Sequence, residues 1–270
     1  MNDSRPSRLV DGCLMATAAV PLAVVAVIWW GLSSCAPPSP PDVAKVAHSA
    51  RTDAASKQAT TLLSDTFDRL WRDQPWLTPN KSQAVLDQCR STESGLVSVT
   101  WAPVTCTRSV KAAAAFDGDF ASRNLNLHKA LKSTGWFATG DDISQVITNY
   151  YRPMKGRPEG SPAHPYGPSD LPAATYSLPR TPQVEMNVRW LTRGAHDPTR
   201  PLASGDQTVI RENQQMDTQA ITKALRTHRY VILLELRTTY FDAARSPSPT
   251  ASSVSYCACR SGNLCTCPGG

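Results

Sequence analysis

The longest apolar stretch of the chain lies close to its N-terminus. Residues 12–32 read GCLMATAAVPLAVVAVIWWGL and carry no charged side chain. At a rise of 1.5 Å per residue, a helix of this length spans roughly 30 Å, which is the hydrocarbon thickness of a bilayer. A surface helix of a soluble domain would carry a polar face, and this stretch has none. We therefore predict a transmembrane helix or signal segment over residues 12–34.

The segment that follows is predicted to hold a domain away from the membrane. Residues 35–42 are rich in proline, which is typical of a stiff, extended tether. Residues 43–81 are predicted to form a helical stalk, polar and Ala-rich in its first half. Near its end, apolar side chains recur at helical spacing: Leu63, Phe67, Leu70 and Trp71. We expect these last turns of the stalk to dock on the domain behind it.

Residues 82–245 combine strand and helix patterns and predict an extracytoplasmic α+β domain. Between Val184 and Trp190 every second side chain is apolar, and residues 229–241 form a long apolar run. The predicted strands cover residues 106–113, 144–151, 183–191 and 229–241, the predicted helices cover residues 117–135 and 216–228, and residues 95–101 add one strand. This is the ferredoxin-like order β-α-β-β-α-β. We therefore expect a two-layer domain with an antiparallel sheet and one extra strand.

Two segments of the chain are predicted to lack regular structure. Residues 152–182 contain eight prolines, which exclude this segment from a sheet interior. A loop of this length is uncommon unless it binds something or is disordered, so it is a candidate recognition strip. Residues 246–270 are predicted to form a flexible tail that contains four cysteines.

The anchor has two interpretations. Arg5 and Arg8 precede the apolar stretch, which places residues 1–11 in the cytoplasm and the rest of the protein outside, as a single-pass protein of the cell membrane. The sequence Leu32-Ser33-Ser34-Cys35 resembles the lipobox of bacterial lipoproteins. In that family the peptide bond before the cysteine is cut and the cysteine receives diacylglycerol. The resemblance implies a lipoprotein anchored through Cys35 as the alternative. The length of the apolar stretch favours a retained span, because a signal peptide needs only about 7 to 15 apolar residues.

The cysteines agree with an oxidising compartment. Cys89 and Cys106 flank the strand predicted at residues 95–101, so we predict a disulfide that joins the preceding helix end to the sheet. Closing such a loop stabilises a fold by roughly 3 kcal/mol in the chain-entropy model. Four cysteines in the tail, spaced C-x-C-x5-C-x-C, predict further disulfides or a zinc site: Cys257, Cys259, Cys265 and Cys267.

The balance of charged residues excludes few functions. No cofactor is predicted from the sequence. Lys and Arg number 28 against 22 Asp and Glu, a net charge of +6 that is scattered along the chain. This surplus does not predict nucleic-acid binding, but it fits a position near an anionic membrane or wall polymer.

Candidate catalytic chemistry is sparse. Asp117 and Asp119 provide two carboxylates for a divalent ion, although helix capping explains them better. His128 lies on the same predicted helix without a nucleophile motif near it. The chain contains no G-x-S-x-G, H-E-x-x-H or phosphate-loop sequence.

Residues 100–137, TWAPVTCTRSVKAAAAFDGDFASRNLNLHKALKSTGWF, resemble uncharacterised membrane-anchored exported proteins of high-GC Gram-positive bacteria. The resemblance implies placement in the cell envelope and transfers no activity. We therefore predict a membrane-anchored binding or accessory protein whose partner is another envelope protein or an anionic wall polymer. The alternative is a small envelope hydrolase or metal-dependent enzyme that uses Asp117, Asp119 and His128.

Overall fold

The computed structural model describes residues 39–94, 100–154, 167–179, 182–193 and 207–245, together with the backbone of residues 258–260 and 264–266. The predicted transmembrane segment, Cys35 and most of the tail lie outside these ranges. Within them, no helix is both long and apolar enough to cross a bilayer.

The main element of the fold is one antiparallel sheet of seven strands. The described strands are β1 (Thr78–Arg90), β2 (Glu93–Ser94), β3 (Thr100–Trp101), β4 (Thr105–Phe116), β5 (Phe137–Ala138), β6 (Ala174–Leu178), β7 (Val184–Leu191), β8 (Thr208–Gln214), β9 (Tyr230–Asp242), β10 (Ala258–Arg260) and β11 (Leu264–Thr266). The order across the sheet is β5-β6-β7-β9-β4-β1-β8, and each neighbouring pair is antiparallel. β2 pairs with β3 and β10 with β11, each apart from this sheet. The predicted α+β class with an antiparallel sheet is therefore confirmed.

Several helices are capped by a side chain of the residue that directly precedes them. They are α1 (Val43–Ala47), α2 (Ala50–Asp73), α3 (Phe120–Ser133), α4 (Ile143–Val146), α5 (Arg152–Met154) and α6 (Thr218–Thr227), and a π-helical turn (Ile147–Tyr151) joins α4 to α5. Ser49, Asp119 and Asp217 each accept a hydrogen bond from a backbone N–H of the first turn of α2, α3 and α6. Gly135, at a φ of 91°, follows the end of α3.

Helices cover both faces of the sheet, because the central strands are apolar on both sides. On one face, Leu63 of α2 and Leu127 of α3 belong to the large core that includes Ile232 of β9. On the opposite face, Ile221 of α6 packs in a smaller core with Leu233 of β9. The domain therefore has three layers, whereas the sequence predicted two.

The helix predicted as a stalk belongs to the domain. It is broken at His48 and Ser49, and α2 buries one side along its whole length, including Thr52, Ala59 and Leu70. The last residues assigned to the stalk, from Thr78 onward, already belong to β1. The expectation that only the last turns dock was wrong, because small and hydroxylated side chains in the first half form a contact face that hydrophobicity alone does not reveal.

Residues 144–151 are helical, so the strand predicted there was wrong. Asp142 and Gln145 form a capping box that starts α4. Ile143, Val146 and Ile147 are fully buried at helical spacing. With a helix in place of this strand, the expected ferredoxin-like order does not form.

Four strands of the main sheet were not predicted, and the shortest of them, β5, has only two residues. β1 and β8 are half-exposed and carry many polar side chains, which weakens their alternation. β6 lies inside the proline-rich segment 152–182, so this segment is not a single irregular loop. Of the extra strand predicted at residues 95–101, Thr100–Trp101 form β3, outside the main sheet, and residues 95–99 lie outside the described ranges.

The other predicted elements are confirmed with shifted ends. The predicted strands 106–113, 183–191 and 229–241 correspond to β4, β7 and β9, and the predicted helices 117–135 and 216–228 correspond to α3 and α6.

Candidate functional site

One strand of the sheet is paired on only one side near its end. β7 begins at Val184, which lies opposite Thr238 of β9. β9 continues to Asp242, and over residues 239–242 it pairs with β4 on its other side. No other described strand pairs with β9 there. The carbonyl of Asp242 accepts a hydrogen bond from the N–H of Arg245 at 3.1 Å. The backbone of residues 239–241 therefore forms an open strand edge among the described residues.

This open edge lies in a groove of about 840 Å3, which we call the edge groove. Its walls are the first half of α2 and the chain that leads into β7, and its floor is the end of β9. The lining residues are Arg51, Ala54, Ala55, Gln58, Thr105, Pro182, Gln183, Glu185, Arg237, Thr238, Thr239, Tyr240, Phe241, Asp242 and Arg245. The helix docks on the sheet through Thr52, Ser56 and Ala59, and so its neighbouring side, with the short side chains of Ala54 and Ala55, is turned to the groove.

Charged side chains surround the edge groove. The guanidinium carbon of Arg51 lies 5.8 Å from the centroid of the Phe241 ring. Arg245 Nε lies 3.3 Å from Asp242 Oδ2. Glu185 and Arg237 are direct cross-strand neighbours. Three arginines and two carboxylates line the groove, so its walls carry an excess of positive charge.

Tyr240 connects the edge groove to the interior. A β-bulge between Cys106 and Thr107 of the partner strand leaves Tyr240 as an extra residue in β9. Tyr240 lines the groove, and its hydroxyl donates a hydrogen bond to Asp87 Oδ1. Burial raises the pKa of Tyr240, and the hydrogen bond to Asp87 raises it further. The hydroxyl therefore remains protonated at neutral pH and acts as a donor.

Asp87 is the centre of a buried polar cluster between α2 and the sheet. Besides Tyr240, its carboxylate accepts hydrogen bonds from Ser56 Oγ at 2.6 Å and from Arg108 Nη1 at 3.1 Å. Arg108 Nη2 also lies 2.8 Å from Glu212. This carboxylate accepts three hydrogen bonds and does not line the groove, so the arrangement suits a structural role better than proton transfer.

A second ion pair closes the outer side of the same cluster. Arg211 of β8 bonds the partly exposed Asp53 of α2 at 2.6 Å. Within the described residues, the buried Nε of Arg108 and the Nε and Nη1 of Arg211 have no hydrogen-bond partner. Arg211 therefore fastens α2 to β8, whereas Arg108 joins β4 to β1 and β8.

The carboxylates predicted from the sequence have separate structural contacts. Asp117 Oδ2 lies 2.7 Å from His228 Nδ1, and Asp117 Oδ1 accepts a hydrogen bond from the backbone N–H of Arg229 at 2.9 Å. The hydrogen bond from Arg229, with that from His228, lowers the pKa of Asp117. Asp119 caps α3 by accepting a hydrogen bond from the N–H of Ser122 at 2.8 Å. Capping and loop closure thus account for both carboxylates.

His128 joins three elements and lies apart from these contacts. Its Nδ1 is 2.8 Å from the hydroxyl of Tyr176, which also accepts a hydrogen bond from the N–H of Ile143 at 2.9 Å. The nearest carboxylate, that of Asp142, is 4.0 Å from His128 Nε2. Burial lowers the pKa of His128. Across the described part of the chain, no three His, Cys, Asp or Glu side chains are grouped so that they could hold a metal ion.

The disulfide predicted between Cys89 and Cys106 is present. The two cysteines face each other on the neighbouring strands β1 and β4, so the bond joins two strands and not a helix end to the sheet. In the tail, the backbones of Cys259 and Cys265 lie opposite each other in the β10–β11 hairpin. Cys257 and Cys267 lie outside the described residues, as do residues 155–166 of the predicted recognition strip.

Sequence reasoning missed the edge groove, because its residues come from separate segments and none forms a motif. The available signal was the pair Ala54-Ala55 on an otherwise polar side of the helix, which is a weak indication of a surface with room for a ligand. A comparison of the chain with family models, with curated proteins and with solved structures finds no match.

Proposed function

We propose that the protein is a membrane-anchored, extracytoplasmic binding or accessory protein of the cell envelope, and that the edge groove is its binding surface. The observation that carries this proposal is the open edge of β9 in a groove lined by α2. Ligand sites are commonly concave and measure roughly 300 to 1,000 Å3, a range that includes this groove.

A binding role is supported over catalysis by the groups that line the groove. Its charged donors are guanidinium groups, the hydroxyl of Tyr240 donates its hydrogen bond to Asp87 outside the groove, and the carboxylate of Asp242 is paired with Arg245. A nucleophile activated by a general base is the usual requirement for hydrolysis, and the described lining residues contain no such pair. Among the partners predicted from the sequence, another envelope protein and an anionic wall polymer both suit positively charged walls, and nucleic acid is not expected.

The proposed location rests on two features outside the groove. The uncharged residues 12–32, preceded by Arg5 and Arg8, favour a membrane span with the domain outside, and a lipoprotein anchored through Cys35 remains the alternative. The disulfide between Cys89 and Cys106 is typical of proteins in oxidising compartments.

Site-specific crosslinking in intact cells tests the proposed function. A photo-reactive amino acid replaces the exposed Gln58, which lines the groove, and in a control chain it replaces the exposed Lys223 on α6, on the opposite face of the sheet. We expect an envelope component to be joined to the protein at position 58 and not at position 223, as seen by a mass shift and identified by mass spectrometry. Equal products at both positions, or none at position 58, would contradict the proposal.

A further inference from the structure

The open edge of β9 is long enough to pair with a short extended chain. At a rise of roughly 3.3 Å per residue, residues 239–241 offer an edge about 10 Å long, and the carbonyl of Asp242 beyond them is bonded to the N–H of Arg245. An unpaired strand edge presents backbone N–H and C=O groups that can hydrogen-bond to an added strand. Here β7 begins at Val184, and the residues before it, Pro182 and Gln183, line the edge groove without pairing with β9 as a strand.

The walls of the groove fit side chains that point to either side of an added strand. Successive side chains of a strand point to opposite faces of the sheet. Those on one face would meet the side of α2 that carries Arg51, Ala54 and Ala55. Those on the other face would meet Arg237, which belongs to the opposite face because it alternates with the core residue Leu236. An arginine is therefore present on each side of the added strand.

We propose that the edge groove binds an extended, carboxylate-bearing peptide segment of another protein, which adds to β9 as an antiparallel or parallel strand. This inference rests on the proposed function and names its partner class. Main-chain hydrogen bonds supply affinity in strand addition, and side-chain contacts supply selectivity. With three arginines against two carboxylates among its described lining residues, the groove carries an excess of positive charge, which favours acidic side chains beside Arg51 and Arg237. An anionic polymer without peptide bonds would meet the same arginines but would leave the strand edge unpaired.

Binding of a defined probe tests the backbone requirement. The probe is a fluorescent octapeptide, Thr-Glu-Val-Glu-Thr-Glu-Val-Glu, titrated with the full-length chain in detergent micelles and followed by fluorescence anisotropy. Two further probes carry N-methyl groups on alternate residues, either on all Thr and Val positions or on all Glu positions. An added strand directs alternate N–H groups to its neighbour. We therefore expect one N-methylated probe to bind about tenfold more weakly or worse, which corresponds to about 1.4 kcal/mol, and the other to bind like the parent.

Matched substitutions on α2 test the position. Ala55→Trp fills the groove and is expected to abolish binding, whereas Ser64→Trp, on an exposed site of the same helix outside the groove, is expected to leave it unchanged. Arg51→Gln is expected to weaken binding several-fold, and Arg69→Gln, also on α2 but outside the groove, is not. Circular dichroism of each variant checks that the fold is retained.

Several results would overturn the inference. Equal effects of both N-methylated probes, or no binding of the parent probe, would exclude strand addition. Displacement of the probe by poly(glycerol phosphate) without any effect of N-methylation would indicate a groove that recognises charge alone. Binding only by a chain that ends at Arg245 would show that residues 246–270 occupy the edge. If crosslinking at position 58 still captures an envelope component, the proposed function stands and only the peptide inference fails.

Discussion

Asp87 is a buried carboxylate on which three elements converge. Its side chain is 2% exposed and accepts hydrogen bonds from Ser56 on α2, Arg108 on β4 and Tyr240 on β9. Burying a carboxylate is costly unless its oxygens are paired. The cluster therefore specifies how α2 lies on the sheet, and with it the shape of the edge groove.

Replacing Asp87 should destabilise the fold strongly. Asp87→Asn removes the charge that compensates Arg108 and offers an amide in place of an acceptor, so we expect the free energy of unfolding to fall by about 3 to 5 kcal/mol. Urea unfolding measures this loss. The control, Asp53→Asn, acts on a carboxylate that is 52% exposed, and it should cost about 1 kcal/mol or less. Similar losses for the two variants would show that burial of Asp87 does not matter.

His128 makes stability depend on pH. Because burial lowers the pKa of His128 in the folded protein, the unfolded chain takes up this proton more readily. Stability is therefore fully present above the unfolded pKa of about 6.5 and declines as the pH falls below it toward the folded pKa. Within this environment Asp142 raises the pKa and Lys132 lowers it, but neither outweighs burial.

The substitution His128→Gln should remove this part of the pH dependence. We expect the unfolding free energy of the wild-type chain to fall more steeply between pH 7 and pH 5 than that of the variant. Urea unfolding at several pH values provides the comparison, with His48→Gln, at an exposed site, as the control. An unchanged slope in His128→Gln would assign the dependence to other groups.

At the scale of elements, the docking of α2 explains most of the groove. The helix begins after its cap, Ser49, and is buried at Thr52, Ser56, Ala59 and Leu63. A free stalk would leave the first three of these exposed. The groove therefore exists because α2 lies against the sheet from its first turn and crosses beside the open end of β9.

Replacing each of two alanines of α2 by leucine tests whether the first half of this helix packs on the sheet. Ala59 is 1% exposed and packed, so Ala59→Leu should destabilise the protein by about 1 to 3 kcal/mol through overpacking. Ala54 is exposed in the groove, and Ala54→Leu should change stability little. Thermal unfolding of both variants measures the difference. Equal melting temperatures would mean that the first half of α2 does not dock.

At the scale of the whole molecule, the disulfide lies beside the point where the chain enters the domain. Cys89 and Cys106 pack in one buried cluster with Val43 and Ala47 of α1, the first described helix after the tether. The bond closes a sequence separation of 17 residues, which stabilises by roughly 3 kcal/mol in the chain-entropy model. The cross-link thus reinforces the region nearest to the proposed membrane anchor.

The fate of Cys35 distinguishes the two kinds of anchor that we propose. If the apolar segment is a retained span, Cys35→Ala should leave membrane attachment and intact mass unchanged. If Cys35 is lipidated, the same change should block cleavage, and a precursor roughly 3 to 4 kDa heavier should accumulate. The span is the expected result, because residues 12–32 match the bilayer thickness. Intact mass spectrometry distinguishes the two, and a lipidated mature form that begins at Cys35 would contradict the expectation.

The spacing of apolar residues along the sequence by itself determined the helices and strands whose apolar pattern is strong. It gave the wrong element where helix and strand patterns overlap. β7, β9, α3 and α6 were predictable because neighbouring residues specify which side of a strand or helix is apolar. Residues 144–151 contain β-branched and aromatic side chains that suit a strand, yet the capping box at Asp142 and the helical spacing of buried residues prevailed. The pairing of Cys89 with Cys106 followed from their being the two cysteines of the domain.

The edge groove was decided by tertiary structure alone. It depends on two features: β7 begins only at Val184 while β9 continues past Thr238 to Asp242, and α2 crosses the sheet at that place. Each of these is a relation between segments far apart in sequence. Local patterning specifies which side of an element is buried, but it does not specify which elements become neighbours or where one strand ends beside another, because those depend on the packing of the whole core.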